Sequence, residues 1–270
     1  MRGLFTSGVL DFLMDSSLLP KTAIGVSAGA LNGFNYVAGA RGRSCYLNTK
    51  YSSDWRYLSL RSYAVTGNAL NTQMVFDEIP NQLEPFNYRA YTDSPLRLIT
   101  VASDLDLGEA DYQHLTDPLA QLPYLQATAA MPLVSQIVEV DSKRLLDGGT
   151  CDSVPIEYSC AIGAKKHIVI LTQDISYIKA PEKIMPLYRR IYSDFPFYLD
   201  RLEYRHIEYN RTYRKVARMH ASGEAFVIRP PEPVTVASLE RDPKKLYDLW
   251  LTGYEEMKKH FKALQGYLEL

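Results

Sequence analysis

The chain has 270 residues, which is enough for one large α/β domain or two small ones with a substantial buried core. Its formal net charge of -1 gives no reason to expect nucleic acid or a strongly anionic surface as a partner. Three cysteines (Cys45, Cys151 and Cys160) are few and odd in number, so they favour a reducing compartment and are interpreted as small buried residues.

Membrane insertion and secretion are not indicated. The sequence has no run of about 18 apolar residues, so we expect no transmembrane helix. The first 15 residues lack a convincing apolar signal region and a small-residue cleavage site. These observations predict a cytoplasmic protein, with peripheral contact to a membrane left open.

The predicted elements alternate between helix and strand over the first two thirds of the chain. Apolar spacing predicts, in order, a helix over 3–15, a strand over 22–26, a helix over 28–40, a strand over 96–102, a helix over 119–130, paired strands over 137–140 and 143–146, and a strand over 167–172. Such alternation implies a mainly parallel sheet covered by helices on both faces.

From residue 181 onward the sequence becomes largely helical, with a late strand over 225–228 and a terminal helix over 239–268. No repeat, low-complexity tract or long linker interrupts the chain. We therefore predict a single domain over 1–270, with a core over about 1–175 and a helical C-terminal part over about 181–270.

A candidate nucleophile lies in the short motif Gly25-Val26-Ser27-Ala28-Gly29, a G-x-S-x-G. An apolar strand precedes the motif and an amphipathic helix follows it, which is the strand-turn-helix setting of a nucleophile elbow. Glycines allow strand and helix to approach closely, and the helix N-terminus favours developing negative charge. The alternative interpretation is a glycine-rich turn in which the serine only caps a helix.

A proton acceptor for Ser27 must come from elsewhere in the chain. Of the five histidines, His114 is placed in a polar loop and stays open as a candidate, whereas the others are interpreted as structural or solvent-facing. Asp147, followed by Gly148 and Gly149, is a better candidate because the glycines permit a sharp turn and burial would raise the pKa of the carboxyl group. The alternative interpretation is an ordinary surface turn.

Four segments in this order resemble the patatin-like phospholipase family. They are MRGLFTSGVLDFL at 1–13, similar to the family's first helix; GVSAGALNG at 25–33, similar to its elbow; ATAAMP at 127–132, similar to its A-S-x-A-x-P; and LLDGGTCDSVPI at 145–156, similar to its D-G-[GA] segment. The stretch over 227–254 is similar to bacterial members in particular, so the resemblance spans nearly the whole chain.

The resemblance implies a three-layer α/β/α fold with a mainly parallel central sheet and a helical C-terminal region. It also implies a Ser-Asp dyad, with Ser27 as nucleophile and Asp147 as base, that hydrolyses acyl esters of lipids or phospholipids through an acyl-enzyme. No metal or cofactor is implied. The expected partners are a lipid or acyl-ester substrate and a membrane surface in peripheral contact, with no nucleic acid.

One departure from the family pattern concerns the oxyanion hole. The family's G-G-G-x-[RK]-G loop is matched only at its end, by Arg2 and Gly3, and the preceding glycines and strand are absent. Backbone donors to an oxyanion contribute about 3 kcal/mol each to catalysis. We therefore expect the natural protein to begin upstream of Met1, and a chain that truly begins there to be crippled or inactive.

An aromatic and basic stretch covers residues 186–220, with eight Arg or Lys against four Asp or Glu. We interpret it as a helical hairpin whose aromatic rings pack on the sheet while its arginines face water. The alternative is a membrane-surface lid.

Two other functions stay open on the sequence alone. One is an α/β-hydrolase esterase with a histidine triad, weakened because Ser27 lies so close to the start of the chain. The other is a catalytically dead lipid-binding protein, for which the absent glycines of the oxyanion loop are the main support.

Overall fold

The computed structural model describes residues 1–269. Within them the strands are β1 (Thr22–Val26), β2 (Arg97–Asp104), β3 (Glu109–Leu115), β4 (Val138–Val140), β5 (Lys143–Asp147), β6 (His167–Ile170) and β7 (Ala225–Ile228). The α-helices are α1 (Gly3–Asp15), α2 (Ala28–Val37), α3 (Arg43–Tyr51), α4 (Leu60–Thr66), α5 (Tyr88–Thr92), α6 (Leu122–Thr128), α7 (Ile156–Ala161), α8 (Met185–Ile191), α9 (Pro196–Ala221) and α10 (Pro243–Leu268). A π-helical segment covers Met74–Leu83.

The larger sheet is organised around β2, whose residues after Arg97 are all buried. β3 runs antiparallel along nearly all of β2, so β1 and β5 share the opposite edge. β1 pairs in parallel with the first part of β2 and ends with Val26 beside Val101. β5 pairs antiparallel with the last part and ends with Asp147 beside Ala102. The ends of β1 and β5 therefore meet at neighbouring positions on β2.

A second sheet consists of β6 and β7, which pair in parallel. Within residues 1–269, β1 pairs only with β2 and β6 pairs only with β7, so each has one free edge. A cavity of about 1720 Å³ is lined by residues of both β1 and β6. Unpaired backbone groups at such edges are ready to pair with another strand.

The terminal helices α1 and α10 pack closely through two glycines. A Cβ on Gly8 would lie 1.9 Å from the carbonyl oxygen of Trp250, and a Cβ on Gly253 would lie 2.0 Å from that of Phe5. Beside this contact, Asp11 is buried and accepts hydrogen bonds from Trp250 Nε1 at 2.7 Å and from Gly42 N at 2.8 Å. This contact holds α1, and with it the start of the chain, against the body of the protein.

The α8 and α9 helices form the predicted hairpin. Five of its aromatic side chains are buried, and four of them form a cluster over Leu146 of β5: Tyr188, Tyr192, Phe195 and Tyr198. The fifth, Tyr213, packs with β7 further along α9. Phe197 and Tyr204 face solvent. The packing interpretation is therefore confirmed for most of these rings. Within residues 1–269, no helix combines the length and the apolar character that crossing a bilayer requires.

The mixed α/β fold with a helical C-terminal region is confirmed, and α1, β1 and β7 have the predicted bounds. Parallel pairing is present between β1 and β2 and between β6 and β7, while β3, β4 and β5 add antiparallel pairings. The predicted polar loop around His114 is wrong, because this segment is strand β3. The predicted burial of the cysteines is confirmed for Cys45 and wrong for Cys160, which is exposed.

Candidate active site

Ser27 lies in the sharp turn between β1 and α2. Its backbone angles are φ 53° and ψ −125°, a conformation that is strained for a residue with a side chain. Its carbonyl oxygen accepts the first hydrogen bonds of α2, from Ala30 N at 2.9 Å and Leu31 N at 3.2 Å. A Cβ on Gly25 would lie 2.4 Å from the Cα of Ala30, so only glycine allows β1 and α2 to approach this closely.

A threonine hydroxyl fixes this turn from the side of the sheet. The amide of Ser27 donates to Thr128 Oγ1 at 2.8 Å, and that hydroxyl donates to the carbonyl oxygen of Val101 at 2.5 Å. The hydroxyl therefore takes the place of a direct ladder bond between β1 and β2 where β1 bends away. Thr128 is fully buried. It holds the strained serine against the end of the sheet.

Asp147 is the last residue of β5, and the turn that follows it brings one backbone donor to the carboxylate. Gly149 N donates to Asp147 Oδ1 at 2.8 Å, and Ser103 Oγ donates to the Asp147 carbonyl oxygen at 2.9 Å. A Cβ on Gly148 would lie 2.2 Å from the carbonyl oxygen of Val101, so the turn packs directly on β2. The packing fixes the direction in which the carboxylate leaves the sheet.

Ser27 and Asp147 are 120 residues apart in the sequence and lie side by side at the edge of β2. Burial raises the pKa of the Asp147 carboxyl group. Interactions with the Ser27 hydroxyl, the Gly149 amide and Arg205 each lower that pKa in part. A hydroxyl and a carboxylate with raised pKa can exchange a proton.

Both side chains line the cavity of about 1720 Å³. Apolar side chains from α3, the π-helical segment and the loops beside them line one part of it, among them Leu47, Leu58, Leu70, Val75 and Met131. This apolar lining suits a long acyl chain beside the two polar groups.

Arg2 and Gly3 lie against the first turn of α2. A Cβ on Gly3 would lie 2.7 Å from that of Ala28, and Asn32 Nδ2 donates to the Gly3 carbonyl oxygen at 2.7 Å. Arg2 is exposed and lines the same cavity. The segment predicted as the end of an oxyanion loop therefore lies beside the elbow.

Comparison with known proteins adds to this geometry. The model of the patatin-like phospholipase family matches residues 1–159, which is more than half of the chain. The chain belongs to the patatin-like phospholipase family. The family is one of lipid acyl hydrolases. A second model, a domain of unknown function (DUF6363), matches residues 195–269 of this patatin-like protein.

A relative of this patatin-like protein is "Uncharacterized protein YjjU" from Escherichia coli (strain K12). The two are 22% identical over 248 residues, which cover 86% of this chain and 66% of the relative. The chain thus spans just under two thirds of the relative's length.

In this patatin-like protein, the two glycines of the G-x-S-x-G motif have different surroundings. Gly25 is required by the close approach of α2, whereas a Cβ on Gly29 would meet no atom within 4 Å. The expected steric need for glycine on both sides of the serine is therefore wrong for Gly29, which faces open space. His114 is exposed on β3 and is not among the cavity-lining residues, so it does not lie where a triad with Ser27 would need it.

Sequence reasoning missed two residues at the site. Thr128 occupies the serine position of the A-S-x-A-x-P pattern in ATAAMP. A hydroxyl side chain at this position could have indicated a structural role. Arg205 lies on α9, and its guanidinium reaches the turn after Asp147. A signal for it was also present, since an arginine interrupts a face of α9 that otherwise carries aromatic and apolar residues.

Proposed function

We propose that this patatin-like protein is a serine acyl hydrolase that cleaves acyl esters of lipids or phospholipids through a dyad of Ser27 and Asp147. One observation carries the proposal: a serine in a strained elbow faces a buried carboxylate of raised pKa inside one large cavity. Strained residues with perturbed titratable neighbours cluster at active sites.

In the proposed reaction, Ser27 Oγ attacks the ester carbonyl carbon while Asp147 accepts the hydroxyl proton. The tetrahedral intermediate collapses, the bond to the leaving alcohol breaks, and that alcohol takes the proton from Asp147. Water then gives a proton to Asp147 and attacks the acyl-enzyme. Fatty acid is released as the proton returns to Ser27.

The negative charge of the intermediate needs backbone donors. The amide of Ala28 is one of the unpaired donors at the start of α2, and we assign it to the oxyanion. We place the second donor in the loop that ends with Arg2 and Gly3, because this segment packs against the same turn of α2.

The free edges of β1 and β6 support the expected longer chain. Because backbone groups alternate between the two edges of a strand, those of Ile24 and Ile168 face away from β2 and β7, and no hydrogen bond involves them in the part of the chain described. We propose that a strand upstream of Met1 fills the space between these edges and leads into the glycine loop. An in-frame stop codon immediately upstream of Met1 would contradict this.

The dyad is tested with a fluorophosphonate probe and a panel of acyl esters on the protein extended upstream of Met1. We expect the protein to be labelled at Ser27, and Ser27→Ala and Asp147→Asn to lose at least about 10³-fold in kcat. Ser193→Ala and Asp93→Asn change exposed residues outside the cavity and serve as matched controls. A folded protein that is never labelled at Ser27 would favour the lipid-binding alternative, and loss of activity in His114→Ala would favour the histidine triad.

A further inference from the structure

Arg205 occupies a core-facing position on α9. Tyr198 and Leu202 on one side of it belong to the buried cluster over β5, and Tyr213 and Val216 on the other side belong to the cluster at β7. The spacing of these residues repeats every three or four positions, so Arg205 lies on the same helix face. A charged side chain at such a position is costly unless it has a partner or a function.

The guanidinium of Arg205 has no protein partner that would explain its place. Its Nη2 lies 3.1 Å from the position of a Cβ on Gly149, so it rests on the turn that carries Asp147. Its Nε is buried and has no hydrogen-bond partner, and Arg205 forms no salt bridge within residues 1–269. The Asp147 carboxylate, whose pKa Arg205 lowers, is already engaged by Gly149 N. Arg205 therefore keeps free donors beside the dyad.

Lys179 is fixed next to Arg205 by a separate set of contacts. The Asn210 side chain binds the Lys179 backbone twice, donating to its carbonyl oxygen and accepting from its amide, both at 2.9 Å. The ammonium group lies 5.6 Å from the centre of the Tyr209 ring. Burial, together with the positive charges of Arg205 and Arg2, lowers the pKa of Lys179 to about 8. Three cations thus converge on one part of the cavity.

We propose that Arg205, Lys179 and Arg2 form a subsite for a phosphate group of the substrate, next to the ester that Ser27 attacks. All three line the cavity that holds Ser27 and Asp147. Among residues 1–269, neither Arg205 nor Lys179 forms an ion pair, and Glu182 is the acidic group whose charge acts on Lys179. A phosphate would accept hydrogen bonds from the free guanidinium donors of Arg205 and offset the mutual repulsion of the cations.

This subsite rests on the proposed function and narrows it. The substrate class becomes acyl esters that carry a phosphate within a few bonds of the ester, whereas neutral glycerides lack the group that the cations bind. α9 falls in the segment matched by the domain of unknown function, so the C-terminal helices would contribute to substrate selection.

The test compares monohexanoyl glycerol phosphate with monohexanoyl glycerol, two soluble esters that differ only in the phosphate. We expect Arg205→Met to lower the ratio of their kcat/KM values by about 10- to 100-fold, the usual effect of losing hydrogen bonds to a charged group. Lys179→Met should lower the ratio less, and Arg205→Lys should restore part of it. Arg214→Met, on the exposed face of the same helix, should leave the ratio unchanged.

Inorganic phosphate distinguishes a substrate subsite from a site for free phosphate. We expect phosphate to inhibit hydrolysis of the neutral ester competitively, and Arg205→Met to relieve the inhibition. Relief of inhibition without any change in the substrate ratio would overturn the proposal in favour of a free-phosphate site. An unchanged ratio in Arg205→Met, with activity still abolished in Ser27→Ala, would overturn the subsite and leave the dyad standing.

Activity that survives Ser27→Ala would instead overturn the proposed function. Thermal unfolding is measured for each variant, and if Arg205→Met fails to fold, Arg205→Lys and Lys179→Met decide the question. An unchanged ratio in both of these folded variants overturns the subsite.

Discussion

Replacing Thr128 tests whether its hydroxyl holds the nucleophile turn. Thr128→Val keeps the shape of the side chain and removes the group that bridges Ser27 N and the Val101 carbonyl oxygen. A buried polar group left without a partner costs about 1–3 kcal/mol. The Val101 carbonyl loses its partner completely, whereas Ser27 is only half-buried and water can reach its amide. We therefore expect a loss of about 2–4 kcal/mol in the free energy of unfolding.

Thr128→Ser is the matched control, because it keeps the bridging hydroxyl and removes one buried methyl group. That change should cost about 1 kcal/mol. The valine variant should also lose about 10- to 100-fold in kcat/KM, since the strained serine is no longer held and a displacement of about 1 Å can cost 100-fold.

Urea denaturation and hydrolysis of a soluble p-nitrophenyl ester measure the two effects. If the valine and serine variants were equally stable and equally active, the bridging hydroxyl would have no part in holding the elbow, and the reasoning would be refuted.

Four further predictions rest on the same packing and electrostatics. Gly253→Ala should destabilise the protein by about 1–3 kcal/mol or more, because its Cβ would strike the backbone of α1. Gly266→Ala lies on the same helix but meets open space, so it should stabilise the protein slightly. Urea denaturation compares the two variants. Gly25→Ala should abolish ester hydrolysis, whereas Gly29→Ala should not, because only Gly25 contacts the backbone of α2. Equal losses of activity in the two variants would contradict this difference in packing. Because the pKa of Asp147 is raised, kcat/KM should begin to fall with decreasing pH at a pH above the ordinary aspartate pKa of about 3.9. Because the pKa of the Asp147 carboxyl group is raised in the folded protein, its protonated form favours the fold below the unfolded pKa, and this stability is lost as pH rises through the folded pKa. At neutral pH, Asp147→Asn should therefore unfold no more easily than the unchanged protein.

Strand β3 shows where local patterns were insufficient. Its sequence EADYQHL has one buried residue at its end and little apolar alternation, so it resembles a polar loop. It forms a strand because its backbone pairs with β2 along seven positions. The pairing partner, and not the segment's own composition, decides its structure.

The sequence by itself determined the elements whose apolar spacing is strong, including α1, β1 and β7, and it identified Ser27 and Asp147 as candidates. Periodicity and turn residues act over a few positions, so they determine local structure without any knowledge of distant partners. Only the tertiary structure placed Asp147 beside Ser27, because that neighbourhood depends on the registers of β1 and β5 against β2. The same holds for Thr128 and Arg205, whose positions depend on packing between segments far apart in the chain.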